Sequence, residues 1–342
     1  MTIDLTDDRT ARIALSLASE PGDRVTGRLV AERGAAETLR LATVSRLPKG
    51  LGGVEVREWR KRLAPRLSES DVDRAIDHGD RLRLNVLTPD HAYWPTGLAD
   101  LGHAAPVVLW ARGDTALFAA PVQRRVALIG ARASTGYGNH VASETATDLI
   151  GDGKQIVSGA AYGIDGAAHR AALAADGATI AVLAGGLDRY YPAGHQDLIR
   201  LISGRGALLS EVPPGAEPTR LRFLQRNRLI AALSAVTVVI EAGWRSGSLN
   251  AASHASALGH PVAAFPGPTT SAASAGCHRL VREGTATLVT SADDIRELIR
   301  LNGENTLGAR SEAPGTSRMG LADPSRFGRS GPSTGGVRAI QR

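Results

Sequence analysis

Residues 126–138 read VALIGARASTGYG, which is a continuous apolar run, a turn of small residues and the start of a helical pattern. Comparable apolar runs recur along the chain, each followed by a turn and a helical pattern: QIVSG (155–159), TIAVLAG (179–185), ALLSE (207–211), AVTVVIEA (235–242) and PVAAF (261–265). Strands that are apolar throughout and alternate with helices indicate a parallel sheet covered on both faces. The sequence therefore predicts an α/β protein with an extended Rossmann-like, doubly wound parallel sheet over residues 121–302.

The regions before and after this predicted sheet differ from it in composition and in hydrophobic pattern. A short seventh strand is expected near residues 285–290, followed by a helix over 292–301. Residues 1–85 carry amphipathic patterns separated by Gly and Pro, which predicts a small α-helical domain. Residues 86–120 are richer in Pro, Gly and aromatics and are interpreted as a connector packed on the core. Residues 303–342 are rich in Ser, Gly, Pro and Arg, so we expect a disordered basic tail.

Composition and charge narrow the class of protein. The single cysteine, Cys277, cannot form an internal disulfide, and no stretch approaches the ~20 apolar residues that span a bilayer. The N-terminus is acidic and has no basic segment followed by an apolar run, which predicts a soluble, cytoplasmic protein that does not contact a membrane. The net charge is +6, but half of the excess lies in residues 303–342. Bulk charge is therefore only weak support for nucleic-acid binding.

The loop after the first of these strands is the first candidate for ligand binding. In an open parallel sheet, ligands bind beyond the carboxyl ends of the strands, where loops meet helix N-termini. Here the loop offers Gly130, Arg132 and Ser134. Small residues let the backbone approach a phosphate, and Arg adds a planar donor. The spacing differs from the dinucleotide fingerprint, so a tight turn with a solvated arginine is the alternative.

The next two loops also combine glycine with aromatic residues. Ser158, Gly159 and Tyr162 precede one helix, and Gly186 lies before the pair Tyr190 and Tyr191. Aromatic faces can stack on bases without sequence preference. One tyrosine of the adjacent pair is expected to point inward and pack.

Two further segments complete an edge that could bind anions. Arg226, Asn227 and Arg228 lie near the start of one helix, where two guanidinium groups beside an amide would suit phosphodiesters. A second turn, at residues 246–248, joins a buried strand to a helix and offers hydroxyls and free amides. The candidates in this turn are Ser246, Gly247 and Ser248.

The same loops lack an evident catalytic set. Asp165 and His169 share a helix face, but no third ligand lies nearby, and a cap or intrahelical contact is the preferred interpretation. Glu241 follows a buried strand without an obvious partner. With no nucleophile–base pair and no Cys/His metal set, the edge is interpreted as a binding surface rather than an active site, with no cofactor.

These segments together resemble the DNA-processing protein A (DprA/Smf) family over about residues 88–300. The agreeing stretches are GARASTGYG (130–138), SGAAYGIDGAAHRAAL (158–173), GGLDRYYPAGHQDL (185–198), LLSEVPPGAEP (208–218), FLQRNRLIAALS (223–234), EAGWRSGSLNAA (241–252) and FPG (265–267). The N-terminal region is similar to the sterile-alpha-motif (SAM) or helix-hairpin-helix region of that family. The resemblance implies a homodimeric protein that binds and protects single-stranded DNA and recruits the recombinase RecA during natural transformation.

The chain departs from the family pattern at several places. Tyr162 stands where many members have Arg, Cys277 and His278 stand where Thr-Asn is common, and the tail lacks the pattern of the winged-helix domain found in many members. The alternative functions are a nucleotide-binding enzyme of the same superfamily, such as a nucleoside monophosphate phosphoribohydrolase, and a scaffold without DNA binding. The segment 241–248 lacks the full Pro-Gly-Gly-x-Gly-Thr turn of those enzymes.

Overall fold

A nine-stranded mixed sheet forms the centre of the molecule. In the computed structural model, which describes residues 7–44 and 53–311, the strands lie in the order β1-β2-β6-β5-β4-β3-β7-β8-β9. Their bounds are β1 Asn85–Leu87, β2 Leu109–Gly113, β3 Arg125–Gly130, β4 Gln155–Ser158, β5 Thr179–Leu183, β6 Ala207–Ser210, β7 Val236–Glu241, β8 Val262–Ala264 and β9 Thr287–Leu288. The strands β3 to β9 are parallel, which confirms the predicted α/β class and the doubly wound sheet.

Helices cover both faces of this sheet. They are α1 Asp8–Ala18, α2 Arg24–Arg33, α3 Ala35–Thr43, α4 Val54–Leu63, α5 Glu69–Arg81, α6 Gly136–Gly151, α7 Ile164–Ala174, α8 Gln196–Arg205, α9 Arg220–Ala232, α10 Ser248–Ala257, α11 Ala275–Arg282 and α12 Ala292–Ser311. Alternate residues of each strand face opposite layers. In β3, Ala127 and Ile129 join the cluster beneath α9 and α10, whereas Val126 and Leu128 join the cluster beneath α6 and α7. This two-sided burial explains why the strands are apolar throughout.

The N-terminal helices pack directly on the sheet. Their apolar side chains share one cluster with Trp110 of β2, Ala181 of β5 and Leu208 of β6. Trp59 is fully buried there, and its indole N–H donates to Thr26 Oγ1 at 2.8 Å. The described residues up to Glu304 form a single unit by their contacts. No helix in the described ranges combines the length and apolar character needed to cross a bilayer.

The structure differs from the sequence-based prediction in the connector and at the last helix. Residues 86–120 contribute to β1 and β2, short strands that join the sheet antiparallel to its parallel part. The last helix continues to Ser311, so residues 303–311 are helical rather than disordered. No proline occurs between residue 292 and Pro314, so no proline breaks the helix in this stretch. The ion pair of Arg300 with Glu304, at 2.7 Å and four residues apart, also favours its continuation. The rest of the predicted tail, 312–342, lies outside the described residues.

Candidate nucleic-acid interface

The carboxyl ends of the parallel strands meet along one edge of the sheet. We call this edge the rim and define it as the loops after β3, β4, β5 and β7 (131–135, 159–163, 184–192 and 242–247) together with the first turns of α9. The chain reverses its winding direction between β3 and β7, which are adjacent strands. Ligands of doubly wound sheets bind at such a switch point. The Arg132 loop follows β3 and therefore borders it.

A pair formed by an arginine and an aromatic ring marks the centre of the rim. Arg132 is exposed, and its guanidinium carbon lies 4.7 Å from the centroid of the Phe223 ring. Tyr191 packs edge-on against the same ring, with centroids 5.7 Å apart. A small cleft beside this group is lined by glycines on one hand and by larger side chains on the other: Gly159, Gly185, Gly186, Arg189, Tyr191, Pro218 and Phe223. The cleft thus offers a cation, aromatic surface and close backbone approach.

Arg226 lies beneath this cleft rather than in it. The residue is only 6% exposed, and its Nη1 donates to the carbonyl of Val182 at 2.7 Å. A Cβ added at Gly159 would collide with the Arg226 guanidinium, so only glycine allows the loop to pass over it. Burial lowers the pKa of Arg226 to about 10, although the nearby Asp165 carboxylate opposes the change. Arg226 therefore supports the floor of the rim.

Asp165 organises the loop above that floor. Its carboxylate is buried and accepts from the backbone N–H groups of Gly159 at 3.2 Å and Ala161 at 3.3 Å. Burial raises the pKa of Asp165 above its ordinary value, against the opposing effects of Arg226 and of these amides. This is the loop-capping role preferred from the sequence. Because Arg226 is charged and nearby, the two groups stabilise the turn together.

Three predicted contact residues point into the protein. Arg228 is 3% exposed and donates to Glu211 Oε1 at 2.6 Å, beside the Gly22 turn of the N-terminal helices. Ser158 is fully buried and donates to the carbonyl of Leu128 at 2.6 Å. Arg226, Arg228 and Ser158 were predicted from the sequence to contact DNA directly, and their burial contradicts that prediction. Burial among protein atoms keeps these three side chains from a DNA backbone.

The first loop is held in place by Glu241 at the end of β7. The carboxylate of Glu241 accepts from the backbone N–H and the hydroxyl of Thr135, both at 2.8 Å. Thr135 in turn caps α6 by accepting from Gly138 N–H at 3.1 Å. Glu241 thus has the partner that was not evident in the sequence, and it is a positioning group rather than a free acid. Ser134 donates to Asn139 Oδ1 at 2.7 Å, and Gly130 packs against Ile164.

The remaining predicted residues lie along the same edge. Asn227 bridges α9 to the 246–248 turn by donating to the Gly247 carbonyl at 3.3 Å. In that turn, Ser246 and Ser248 bond to each other through their hydroxyls at 2.7 Å. Tyr162 is 45% exposed, and its hydroxyl accepts from Gly194 N–H at 3.1 Å. Gly186 is buried at the wall of the cleft and donates to the Ala216 carbonyl at 2.8 Å.

The two adjacent tyrosines separate as expected. Tyr190 packs against the core, and its hydroxyl accepts from Arg112 at 3.1 Å, whereas Tyr191 is 49% exposed on the rim. The sequence-based site missed Phe223 and Arg189, which line the cleft. Phe223 stands three residues before the Arg-Asn-Arg element, so an aromatic one helical turn from Arg226 was the available clue.

His169 gives the fold a testable pH dependence. It is fully buried and bonds to Thr179 Oγ1 at 2.7 Å, and burial lowers its pKa from 6.5 to about 3. Between these values only the unfolded chain takes up the proton, so the contribution of His169 to stability is present above pH 6.5 and lost as the pH falls. We expect this residue to cost about 2 kcal/mol of unfolding free energy between pH 7 and pH 5.

Urea unfolding of the wild type and of His169→Gln at the two pH values measures this contribution. The glutamine variant cannot titrate, so its stability should fall less on acidification than that of the wild type. An equal fall in both proteins would assign the acid sensitivity to other groups.

Comparison with known proteins identifies the family of the chain. The family model for DNA recombination-mediator protein A matches residues 85–300. The chain belongs to the DNA recombination-mediator protein A family. DNA processing protein DprA of Streptococcus pneumoniae is 41% identical over 202 residues, which is 59% of this chain and 70% of that protein. A protein of Mycobacterium tuberculosis that also carries the name DprA is 48% identical over 271 residues, 75% of this chain and 68% of its own length.

Two solved structures of DNA processing protein A share the fold. The X-ray structure of the Streptococcus pneumoniae protein matches with a TM-score of 0.68 and 29% identity, covering 86% of this chain and 98% of that one. The Helicobacter pylori protein, whose structure describes a single-stranded DNA binding mode, matches with a TM-score of 0.57 and 30% identity. That match covers 67% of this chain and 97% of the Helicobacter pylori chain. The DNA recombination-mediator protein A match includes the whole rim defined above.

Proposed function

We propose that this chain binds single-stranded DNA along the rim and acts, without catalysis, as a recombination mediator. The observation that carries the proposal is the exposed Arg132 stacked over Phe223 beside a glycine-walled cleft. A guanidinium can bind a phosphate, while an aromatic ring can stack on any base. The Helicobacter pylori relative, with its single-stranded DNA binding mode, supports the same ligand.

The arrangement favours a single strand over a duplex. Stacking on Phe223 or Tyr191 requires a base whose face is free, and the bases of a duplex are already stacked on one another. The rim offers small residues and the exposed Arg132 for the phosphates. Unpaired DNA can place bases on the rings and phosphates on the loops at the same time.

The carboxylates of the rim support a binding role rather than hydrolysis. Asp165 is buried beneath the loop, and Glu241 is occupied by Thr135. A general acid or base must reach its substrate within hydrogen-bond distance. Both groups instead shape the loops that carry Arg132 and Gly159. We therefore favour a mediator over a nucleoside monophosphate phosphoribohydrolase.

The biological setting proposed here follows from family membership. We propose that the protein works in the cytoplasm, protects incoming single strands during natural transformation, and helps load the RecA recombinase. A homodimer is the proposed assembly. The residues proposed to contact DNA, on the rim or directly next to it, are Gly130, Arg132, Ser134, Gly159, Tyr162, Gly186, Asn227, Ser246, Gly247 and Ser248, with Phe223, Arg189 and Tyr191 added from the geometry.

Competition binding tests this proposal. A fluorescent dT oligonucleotide is bound to the protein and then displaced by unlabelled single strands, a duplex of equal length, or nucleoside monophosphates, while base release from each monophosphate is measured. We expect single strands to displace the probe well, the duplex weakly and monophosphates hardly at all, with no base release. Tight monophosphate binding with release of the base would replace the proposal by the enzyme alternative.

Phe223 provides a direct test of stacking. Loss of one base–aromatic stack costs about 1–3 kcal/mol, so Phe223→Ala should weaken dT binding by about five- to hundredfold. Phe223→Trp should retain binding because the larger ring can still stack. The matched control is Leu221→Ala, which removes an exposed apolar side chain from the same helix. Equal binding by Phe223→Ala and Leu221→Ala, measured by fluorescence anisotropy, would exclude a stacking role.

A further inference from the structure

A second pair of arginine and aromatic ring lies on the same edge of the sheet. Trp244, in the loop after β7, is 52% exposed, whereas Trp59 and Trp110 are fully buried. The guanidinium carbon of Arg279 lies 5.0 Å from the centroid of the Trp244 ring. Arg279 also donates to the carbonyl of Trp244 at 3.4 Å and lies 3.8 Å from Glu283. The guanidinium of Arg279 thus packs on an exposed tryptophan ring and bonds to the backbone of the same loop.

The backbone beneath Trp244 is also anchored. The Ala242 carbonyl accepts from Gly276 N–H at 2.7 Å, and the Gly243 carbonyl accepts from Ser246 N–H at 3.1 Å. A Cβ added at Gly276 would press on both of these carbonyls, so the loop and α11 are in close contact. A ring that is already held by packing loses less conformational freedom when a base stacks on it than an unsupported side chain does.

The two pairs lie on opposite sides of the Arg132 loop. Phe223 contacts Arg132 from the side of the loops after β4 and β5, where Gly159 and Tyr191 lie. Trp244 follows β7, the strand on the other side of β3. The backbone N–H of Ala131 donates to the Glu241 carbonyl at 2.7 Å, so the two loops begin side by side. Trp244 therefore borders the switch point from the side that faces away from Phe223.

We propose that Trp244 and Arg279 form a second nucleotide subsite of the single strand bound on the rim, with a base stacked on Trp244 and a phosphate bound by Arg279. This inference rests on the proposed function and extends it to the β7 side of the sheet. Neighbouring strands are ~4.8 Å apart, so three spacings from β5 to β7 cover about 14 Å. That distance is about four times the ~3.4 Å rise of stacked DNA. The subsite is thus reached by a strand of several nucleotides that also occupies the Phe223 cleft.

The geometry favours a nucleic acid over a protein side chain at this position. The pair of Arg132 and Phe223 on one side of the switch point is matched by the pair of Arg279 and Trp244 on the other. A continuous DNA strand offers a base and a phosphate at each step, so one strand can bind both pairs. Arg279 also provides cation–π contact to the stacked system. If Trp244 and Arg279 instead bound a protein partner, replacing Arg279 would leave the salt dependence of DNA binding unchanged. The salt dependence therefore distinguishes a DNA strand from a protein at this position.

The experiment combines tryptophan fluorescence with anisotropy of labelled dT oligonucleotides of increasing length. We expect binding of a long oligonucleotide to change the emission of the wild type but much less that of Trp244→Phe. Trp244→Ala should weaken binding of the long oligonucleotide by about five- to hundredfold and leave the salt slope unchanged. Arg279→Ala should weaken binding and make the slope shallower by about 0.7, the value for one phosphate contact on a single strand. Both losses should be smaller for dT2, whose single internucleotide step is too short to span the two subsites.

The control is Leu201→Ala, which removes an exposed apolar side chain from α8 and should bind like the wild type. If the wild type binds dT and Trp244→Ala binds it with the same affinity, the second subsite is wrong and the proposed function stands. This holds even if DNA binding changes the tryptophan emission. Failure of the wild type to bind single-stranded DNA would overturn both. A loss in Arg279→Ala without a change of slope would show that Arg279 only holds the tryptophan.

Discussion

Arg226→Ala lowers the free energy of unfolding by about 3–5 kcal/mol, which is the range for removing one partner of a buried charged pair. The replacement removes the donor to the Val182 carbonyl and leaves the Asp165 carboxylate buried without its neighbouring cation. It also opens a void under Gly159, whose backbone rests on the guanidinium. Urea unfolding followed by circular dichroism measures the loss.

The matched control for this prediction lies on the same helix. Arg222 pairs with Glu20 at 3.1 Å near the surface, so Arg222→Ala should cost about 1 kcal/mol or less. A double-mutant cycle with Asp165→Asn should show coupling between Asp165 and Arg226. If Arg226→Ala is no less stable than Arg222→Ala, the buried role assigned to Arg226 is wrong. Any effect of Arg226 on DNA binding should leave the salt slope unchanged, because the guanidinium does not reach a phosphate.

Arg132→Ala weakens binding to single-stranded DNA by about ten- to hundredfold. A hydrogen bond to a charged group contributes about 1.5–3 kcal/mol, and tenfold in affinity corresponds to 1.4 kcal/mol. Phosphate contacts carry no base information, so dT, dA and mixed sequences should lose affinity alike. Fluorescence anisotropy at one salt concentration measures the three sequences in parallel.

The control variant for Arg132 is Arg124→Ala. Arg124 is also exposed but precedes β3, so it lies at the opposite edge of the sheet from the rim. Its removal changes the net charge by the same amount and should affect binding little. A loss confined to one base sequence would show that Arg132 contacts a base rather than a phosphate. Equal losses in the two variants would indicate that only the net charge matters.

Much of the fold could be predicted because its strands are buried on both faces. Continuous runs such as VALIG and AVTVVIEA leave no polar face, and the helical patterns between them indicate a parallel sheet. The strands β1 and β2 were missed because they are short and lie in a segment rich in Pro, Gly and aromatics. They join the sheet antiparallel at its edge, and this pairing depends on tertiary contacts rather than on a local pattern.

The candidate site was predicted less completely because the sequence of α9 does not show which of its faces packs against the protein. From the sequence, Arg226 and Arg228 are equally good candidates for exposed residues. In the structure, Arg226 faces the sheet, and Arg228 faces Glu211 and the Gly22 turn. A helix packed on two sides buries residues two positions apart, and no amphipathic pattern distinguishes them. Arg132 was placed correctly on a loop at the end of a strand, where the small residues around it leave the side chain exposed.

The salt dependence of wild-type binding tests the central claim most directly. Anisotropy of a labelled dT oligonucleotide and of a duplex of equal length is measured over a series of salt concentrations. A rim that binds three or more phosphates of a single strand predicts that log K falls with log salt at a slope of about −2 or steeper, with the single strand preferred at every concentration. A flat dependence, or equal affinity for the duplex, would contradict single-stranded DNA binding on the rim.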